Sequence, residues 1–231
     1  MTTQIPALSS CVGRMTSGER RLAERLEQKL DSDYVVWYDV PVGPKQLHPD
    51  FIVLHPSRGL LILEVKDFRL STILQADKED WSILSADTGS AKTIQSPELQ
   101  ARQYAHAVAD ALRRDPRLVH PSGPQQGHLV FAWGYGVVLP NITRKQFTDA
   151  QLDLAIPERR VICSDEMTEG VDAEDFQSRL WGMFPFGRYA TLSLPQIDRV
   201  RWLLFPQVRI AQQATLFDEA DGQAEVPDML R

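Results

Sequence analysis

The sequence has little cysteine, no long hydrophobic run and no excess of basic residues, and each absence excludes a class of protein. Its two cysteines, Cys11 and Cys163, belong to no CxxC pair and to no Cys/His cluster, so neither a disulfide framework nor a structural zinc site is predicted. No apolar run approaches the ~18 residues that a bilayer span requires. The N-terminal residues also lack the pattern of a secretory signal. These absences predict a cytoplasmic protein with no membrane partner.

The charge balance excludes a broadly cationic nucleic-acid binder. The 231 residues contain 25 lysines and arginines against 31 aspartates and glutamates, a net charge of −6. Residues 216–231 hold five acidic residues and one arginine, so much of the excess lies near the end of the chain. Proteins that bind nucleic acid along a whole face usually carry a basic excess. Any contact with DNA or RNA is therefore expected to be local, and its residues are not identified by the sequence.

The hydrophobic pattern predicts an α/β fold in the order α-β-β-β-α-β, with a mixed central sheet flanked by helices and a mostly helical C-terminal extension. A capping box at Thr16 and Glu19 begins a helix at residues 17–30, and Pro97 occupies the first turn of a second helix at residues 96–114. Apolar and β-branched runs predict four strands, at residues 34–40, 50–55, 60–66 and 128–139.

Smaller features complete the predicted organisation. Residues 70–75 and 81–86 favour a lesser hairpin, and Gly134 and Gly136 indicate a bulge or bend in the last strand of the core. Arg21 and Arg25 are expected on the far face of the first helix, either as a solvated surface or as a track for phosphate groups. Trp133, Trp181 and Trp202 are expected in the core. Three short helices and one strand are expected later in the chain, at residues 145–153, 173–183, 196–204 and 160–163. The predicted units are a core at residues 1–140, an extension packed on it at residues 141–210, and an acidic tail or linker at residues 211–231.

The most informative segment places an acid at the start of one buried strand and Glu-x-Lys at the end of the next. Glu64 and Lys66 are two residues apart on a strand, so they share a face. Burial of either charge alone is costly, which implies a partner or a bound cation. If the connecting hairpin preserves the alternation of faces, Asp50 joins the same site. Two carboxylates and an ammonium suit a Mg²⁺ or Mn²⁺ centre for phosphodiester hydrolysis, because both ions prefer oxygen ligands.

The hairpin loop sets that alternation. A three-residue loop at residues 57–59, with Gly59 in the left-handed region, would pair Pro56 with Leu60. In that register Ile52 lies opposite Glu64 and Asp50 lies opposite Lys66, so all three site residues face one point.

Two helices carry further polar residues on packed faces. Glu19 lies on the core-facing stripe of the first helix, although its role in the capping box would explain it equally well. In the second helix Gln100 and Tyr104 are four residues apart and in line with Val108. An amide and a phenol on a packed face both need partners, from the site or from the fold.

In this order, these residues resemble the PD-(D/E)XK nuclease superfamily in its RecB-like form, which has a trailing QxxxY motif. More narrowly, residues 15–115 resemble the nuclease-related, or NERD, domain. The resemblance rests on Ser17-Gly18-Glu19, the Asp50 strand, the strand that ends in Glu64-Val65-Lys66, and the Ser96–Gln100 segment. Later segments are more loosely similar to NERD proteins that continue into a UvrD-like helicase, so the chain is expected to be the N-terminal part of a longer protein.

The resemblance implies metal-dependent cleavage of DNA with Mg²⁺ or Mn²⁺. Asp50 and Glu64 would be metal ligands, and Lys66 would act at the attacking water. Glu19 and the Val65 carbonyl would be further ligands, and Gln100 and Tyr104 would orient the site. Two alternatives stay open: a nucleic-acid-binding or docking module that kept the fold and lost turnover, and a ribonuclease.

Overall fold

The structure is a computed structural model that describes residues 2–85, 88–184 and 189–206. The predicted tail at residues 211–231 lies outside the described residues. Across the described ranges, no helix combines the length and the apolar character that a membrane crossing demands. The helices are α1 (Leu8–Cys11), α2 (Ser17–Lys29), α3 (Pro97–Arg113), α4 (Arg144–Asp149), α5 (Ala173–Trp181) and α6 (Leu194–Leu204). The strands are β1 (Thr3–Ile5), β2 (Val35–Tyr38), β3 (Phe51–His55), β4 (Gly59–Val65), β5 (Ile73–Ala76), β6 (Asp80–Leu84), β7 (Ala91–Gln95), β8 (Trp133–Leu139) and β9 (Val161–Cys163).

A six-stranded mixed sheet forms the centre, in the order β1-β2-β3-β4-β8-β9. The middle strands β2, β3 and β4 pair antiparallel, whereas β1 joins β2, and β8 and β9 join β4, in parallel. The predicted α/β class with a mixed sheet flanked by helices and a helical C-terminal region is confirmed. Residues beyond 140 also supply β9 to this sheet, while the division into units stays a prediction.

Strands β3 and β4 are buried on both faces, as their nearly continuous apolar sequences indicate. Their odd-numbered side chains pack in one cluster with Leu22 and Leu26 of α2. Their even-numbered side chains pack in a second cluster with Ala105 and Val108 of α3. The sheet is thus a layer between α2 on one side and α3 on the other.

The predicted hairpin register is wrong by two residues. His55 pairs with Gly59 and Ile52 with Ile62, so the connecting loop is residues 56–58 rather than 57–59. Gly59 has the predicted positive φ, +104°, but it is the first residue of β4 rather than part of the loop. Glycine is required there because a Cβ would meet the carbonyl oxygen of Ala132, just before β8. A shift by an even number preserves the alternation of faces, so Asp50 now follows in register opposite Glu64 instead of Lys66.

The glycines of β8 do not form the predicted bulge. The strand pairs in unbroken register with β4. A Cβ on Gly134 would overlap the ring of Phe184, and one on Gly136 would overlap the sulfur of Met183. Both glycines therefore permit the segment after α5 to approach the sheet closely, which is the other common reason for glycine in a strand.

Several smaller predictions also change. The lesser hairpin is a three-stranded sheet, β5-β6-β7, whose buried Trp81 belongs to the same hydrophobic cluster as Ala101 of α3. The helix predicted at 145–153 ends at Asp149, because Gln151 adopts a left-handed conformation before a short 3-10 turn. The first strand and first short helix were not predicted, since their sequences have no clear periodicity.

Burial differs from the prediction at two side chains. Arg25 is buried, not solvated: it is 5% exposed and its guanidinium lies 3.6 Å from Glu169 and beside Gln28, because α5 and the segment before it cover that side of α2. Trp202 is 44% exposed rather than in the core, while Trp181 is buried as expected.

Candidate active site

Asp50 lies immediately before β3 and closes the open end of the β3–β4 ladder. Its Oδ2 accepts a hydrogen bond of 2.7 Å from the backbone N–H of Val65. In the continued register, the residue opposite Val65 is Pro49. The side chain of Asp50 therefore binds an N–H group at the point where β3 leaves the sheet. This bond fixes one carboxylate at the end of β4.

Glu64 and Lys66 meet at that same end. The Lys66 Nζ donates to Glu64 Oε1 at 2.7 Å, and the Glu64 side chain is 3% exposed. The other carboxylate oxygen, Glu64 Oε2, is buried and has no hydrogen-bond partner among the described residues. A buried carboxylate oxygen without a donor is costly, so this atom has unused capacity to bind a cation.

The two carboxylates destabilise each other's charge. Burial, followed by the negative charge of Glu64, raises the pKa of Asp50 to about 8. Burial also raises the pKa of Glu64, and Lys66 opposes that rise. Glu19 contributes to the increase in both groups. A divalent cation between the carboxylates would reverse this effect, because it favours their ionised forms.

Glu19 takes part in the capping box of α2 and also faces the site. Its Oε2 accepts from the backbone N–H of Thr16 at 3.0 Å and from the Tyr38 hydroxyl at 2.9 Å. Burial, with the hydrogen bond to Glu19 next, raises the pKa of Tyr38. The helix-capping role and the proximity to Asp50 and Glu64 therefore coexist in one side chain.

The carbonyl of Val65 has a position suited to a metal ligand. The N–H of Lys66 bonds to Val138 of β8, so the backbone polar groups of the preceding residue point to the β3 side. Pro49 stands opposite Val65 and has no N–H to donate. Strand β3 therefore offers no ladder donor to this carbonyl, at the point where Asp50 and Glu64 converge.

Gln100 and Tyr104 are hydrogen-bonded to each other rather than to the charged residues. The Gln100 Nε2 donates to the Tyr104 hydroxyl at 3.0 Å. Helix α3 packs on β4 and β8, on the face to which Glu64 belongs. Within the described ranges, no hydrogen bond joins this pair to Asp50, Glu64 or Lys66. Helix α3 thus brings the amide and the phenol to the face of the sheet on which Glu64 lies, but not into a hydrogen bond with the charged residues.

The acidic set fits Mg²⁺ or Mn²⁺ with few protein ligands. The carboxylates of Glu19, Asp50 and Glu64 do not bring three oxygens within 4.8 Å of one another. Mg²⁺ commonly binds one or two carboxylates and retains several waters, so this spacing fits such an ion better than a fully protein-bound cage. Asp50, Glu64 and the Val65 carbonyl could hold the ion directly, with Glu19 reaching it through water.

Asp67 was not predicted from the sequence. It links the end of β4 to the start of α2. Its Oδ2 accepts from the Gly18 N–H at 2.9 Å, at the N-terminus of α2, and its backbone oxygen accepts from Asn141 at 2.9 Å. A Cβ on Gly18 would overlap Asp67 and Pro140. The detectable signals were an acid directly after Glu-x-Lys and a glycine in the first turn of α2. Tyr38 was likewise missed, because only the sheet register brings it to Glu19.

A second group of possible ligands lies at the opposite end of β3. Asp31, Asp33 and His55 have ligand atoms within 4.8 Å of one another, although the sequence shows no metal-ligand spacing there. Both aspartates are exposed. The His55 Nδ1 already accepts from the Ser57 N–H at 3.2 Å, and the ring packs 4.6 Å from that of Tyr34. This group has ordinary solvent and packing partners, unlike Glu64.

Comparison with known proteins gives one finding on the family. Residues 14–132, just over half of the chain, match the family model described as a nuclease-related domain, NERD. The match spans every residue of the site from Glu19 to Tyr104. No curated protein and no solved structure matches the chain significantly.

Proposed function

The chain belongs to the nuclease-related domain family, and from that premise we propose that it is a Mg²⁺- or Mn²⁺-dependent nuclease that hydrolyses DNA phosphodiester bonds. The observation that carries the proposal is Glu64, a buried carboxylate beside Asp50. One of its oxygens accepts from Lys66, and the other has no hydrogen-bond partner in the part of the chain that the structure describes. A bound cation would supply a partner for that second oxygen of Glu64, and a phosphate substrate would supply a further anion for Lys66. The arrangement supports the PD-(D/E)XK type, with Asp50, Glu64 and Lys66 as its three defining residues.

Asp50, Glu64 and the Val65 carbonyl would hold the ion. When bound, it would polarise the phosphate and lower the pKa of a bound water. Asp50 is held for this role by the Val65 N–H, which leaves its carboxylate fixed at the sheet end. Glu19, anchored by Thr16 and Tyr38, would accept a hydrogen bond from water on the α2 side.

Lys66 would orient the attacking water and stabilise the negative charge that develops on the phosphate. Its side chain is 19% exposed, so it is partly reachable from solvent while the ion pair with Glu64 fixes the position of the ammonium. A positioned cation at the place where charge develops is among the larger contributions to catalysis. Gln100 and Tyr104 would orient the site from α3, in the manner of a QxxxY motif.

The test compares Lys66→Ala with Lys29→Ala, a lysine at the end of α2 remote from the site. Single-stranded, linear and supercoiled DNA, and an RNA of matched sequence, are incubated with each protein in Mn²⁺, with EDTA as a further control. We expect metal-dependent DNA cleavage by the wild type and by Lys29→Ala. Lys66→Ala should lose at least about a hundredfold in rate, equivalent to ~2.7 kcal/mol of transition-state stabilisation.

Other outcomes would replace the proposal. Preferential cleavage of RNA would make the protein a ribonuclease. An absence of cleavage and of metal binding would favour a docking module. The resemblance extends the proposal to a helicase as the functional partner; addition of a purified helicase domain from a nuclease–helicase should then raise the cleavage rate on duplex DNA, and an unchanged rate would contradict that partnership.

A further inference from the structure

A groove of about 740 Å³ runs along the outer face of α3, under the loop that connects β2 to β3. It begins at Leu99, next to Gln100, and reaches Arg114 at the end of the helix. On the other side it is closed by loop residues 42–47, which lead directly to Asp50. We infer that this groove binds a single-stranded segment of nucleic acid that enters or leaves the catalytic end of the sheet. The inference rests on the proposed function and names the form of its substrate.

The charges in the groove fit a polyanion. Lys45, Arg102 and Arg114 are exposed, and no hydrogen bond or ion pair engages their side chains among the described residues. Asp110 is the acid in the lining, and it is paired with Arg113 at 2.7 Å. Arg102 also lies near enough to Glu98 to oppose the rise that burial causes in the pKa of that carboxyl, which Arg160 opposes more strongly. Three cations in one groove, without a hydrogen bond or ion pair in the described part of the chain, form a local exception in an acidic chain of net charge −6. Phosphate groups are the expected partners of such a row.

The spacing of these residues follows the helix. Arg102, His106, Asp110 and Arg114 recur every four residues, so they form one line along α3. From Leu99 to Arg114 the helix rises by about 22 Å, and a stacked strand rises by ~3.4 Å per nucleotide, which allows at most about six nucleotides in contact. The groove is therefore long enough for a short strand and its phosphates.

The walls of the groove favour a single strand over a duplex. Leu47 and Leu99 provide apolar surface from the loop and the helix, and His106 provides a ring. Unpaired bases have exposed faces that pack on such groups, whereas a duplex presents mainly phosphate and base edges. A groove that combines cations with apolar and ring surface matches the first ligand.

The experiment measures binding without turnover. Fluorescence anisotropy is recorded with a labelled single-stranded DNA of about 12 nucleotides, in EDTA, over a series of salt concentrations. The groove variant is Lys45→Gln/Arg102→Gln/Arg114→Gln. The matched control is Lys29→Gln/Arg58→Gln/Lys145→Gln, which removes the same charge from α2, the β3–β4 turn and α4. Circular dichroism of both variants checks that the fold is retained.

We expect the groove variant to bind at least about tenfold more weakly and to lose about two units of salt slope, since each phosphate contact on a single strand contributes roughly 0.7. The control should stay within about twofold of the wild type. Because the loss in the groove variant is measured in EDTA without turnover, the groove can be supported even if no protein cleaves DNA and the catalytic proposal fails.

Three outcomes would overturn the inference. These are equal losses in the two triple variants, tighter groove-dependent binding of a duplex than of the single strand, and a groove variant that cleaves with unchanged KM. The last result would leave the nuclease proposal intact. Cross-linking with a 4-thiothymidine oligonucleotide gives a second readout, and labelled peptides are expected to include 42–47 or 99–114.

Discussion

Acidic and basic side chains lie together at both ends of the β3–β4 hairpin, but their burial and their hydrogen-bond partners differ between the two ends. At the turn end, Asp31 and Asp33 are exposed, and His55 is occupied by Ser57 and Tyr34. At the open end, Glu64 is nearly fully buried, and one of its carboxylate oxygens has no hydrogen-bond partner among residues 2–85, 88–184 and 189–206. The turn end satisfies a simple distance criterion for metal ligands better than the open end. Burial and an unmet electrostatic need, rather than proximity alone, distinguish the candidate active site.

The largest expected difference between the two ends is in cleavage. Glu64→Gln keeps the size of the side chain but removes the charge that would bind the ion, so DNA cleavage should fall at least about a hundredfold. Asp33→Asn, at the turn end, should leave the rate within about twofold. Initial rates in Mg²⁺ and Mn²⁺ measure both. A loss in Asp33→Asn with normal activity in Glu64→Gln would move the metal centre to the turn end.

A smaller effect is expected on packing around the open end. Gly18→Ala places a Cβ against Asp67 and Pro140, so the free energy of unfolding should fall by about 2 kcal/mol. Gly13→Ala is the matched control, because nothing lies within 4 Å of a Cβ there. Urea unfolding measures both. Because helix propensity favours alanine over glycine, a cost of the same size at Gly13 would show that the loss at Gly18 does not come from the contact with Asp67 and Pro140.

The remaining expected effect is a gain in stability that grows gradually with pH. In metal-free protein, Asp50 keeps a proton up to about pH 8 when folded and loses it near pH 4 when unfolded, so its contribution to stability falls as the pH rises through that window. Asp50→Asn should therefore gain stability relative to wild type by up to about 1.4 kcal/mol for each pH unit between pH 4.5 and pH 8.

Urea unfolding in EDTA measures that gain. Added Mg²⁺ should reverse the order at pH 8, because the ion stabilises the wild type alone. Asp33→Asn is the control from the exposed end. The same pH-dependent gain in that variant would remove burial as its cause.

Features that depend on local sequence spacing were predicted more accurately than features that depend on contacts between distant segments. Glu64 and Lys66 share a face because they are two apart on a strand, and the capping box of α2 is formed by Thr16 and Glu19 as their spacing indicates. The hairpin register was missed because the position of Gly59 is set by its close approach to Ala132, which lies 73 residues later in the chain. The roles of Asp50, Glu64, Lys66 and the other predicted site residues stay predictions.

The missed features share one physical cause. Arg25 is buried because α5 and its preceding segment cover α2, and Asp67 reaches the backbone of Gly18 only when the end of β4 meets the start of that helix. Each depends on tertiary contact between segments that are distant in sequence. Helix and strand periodicities report which face of an element is apolar, but not which neighbour covers it.

The ion pair between Lys66 and Glu64 also has a consequence for the folding of the metal-free chain. Lys66 acts as an internal counter-ion, so the chain brings its own positive charge to the buried carboxylate while it folds. If the site binds a divalent ion as proposed, folding does not have to wait for that ion. Protein prepared under chelating conditions should therefore show the same circular dichroism spectrum as protein prepared with Mg²⁺.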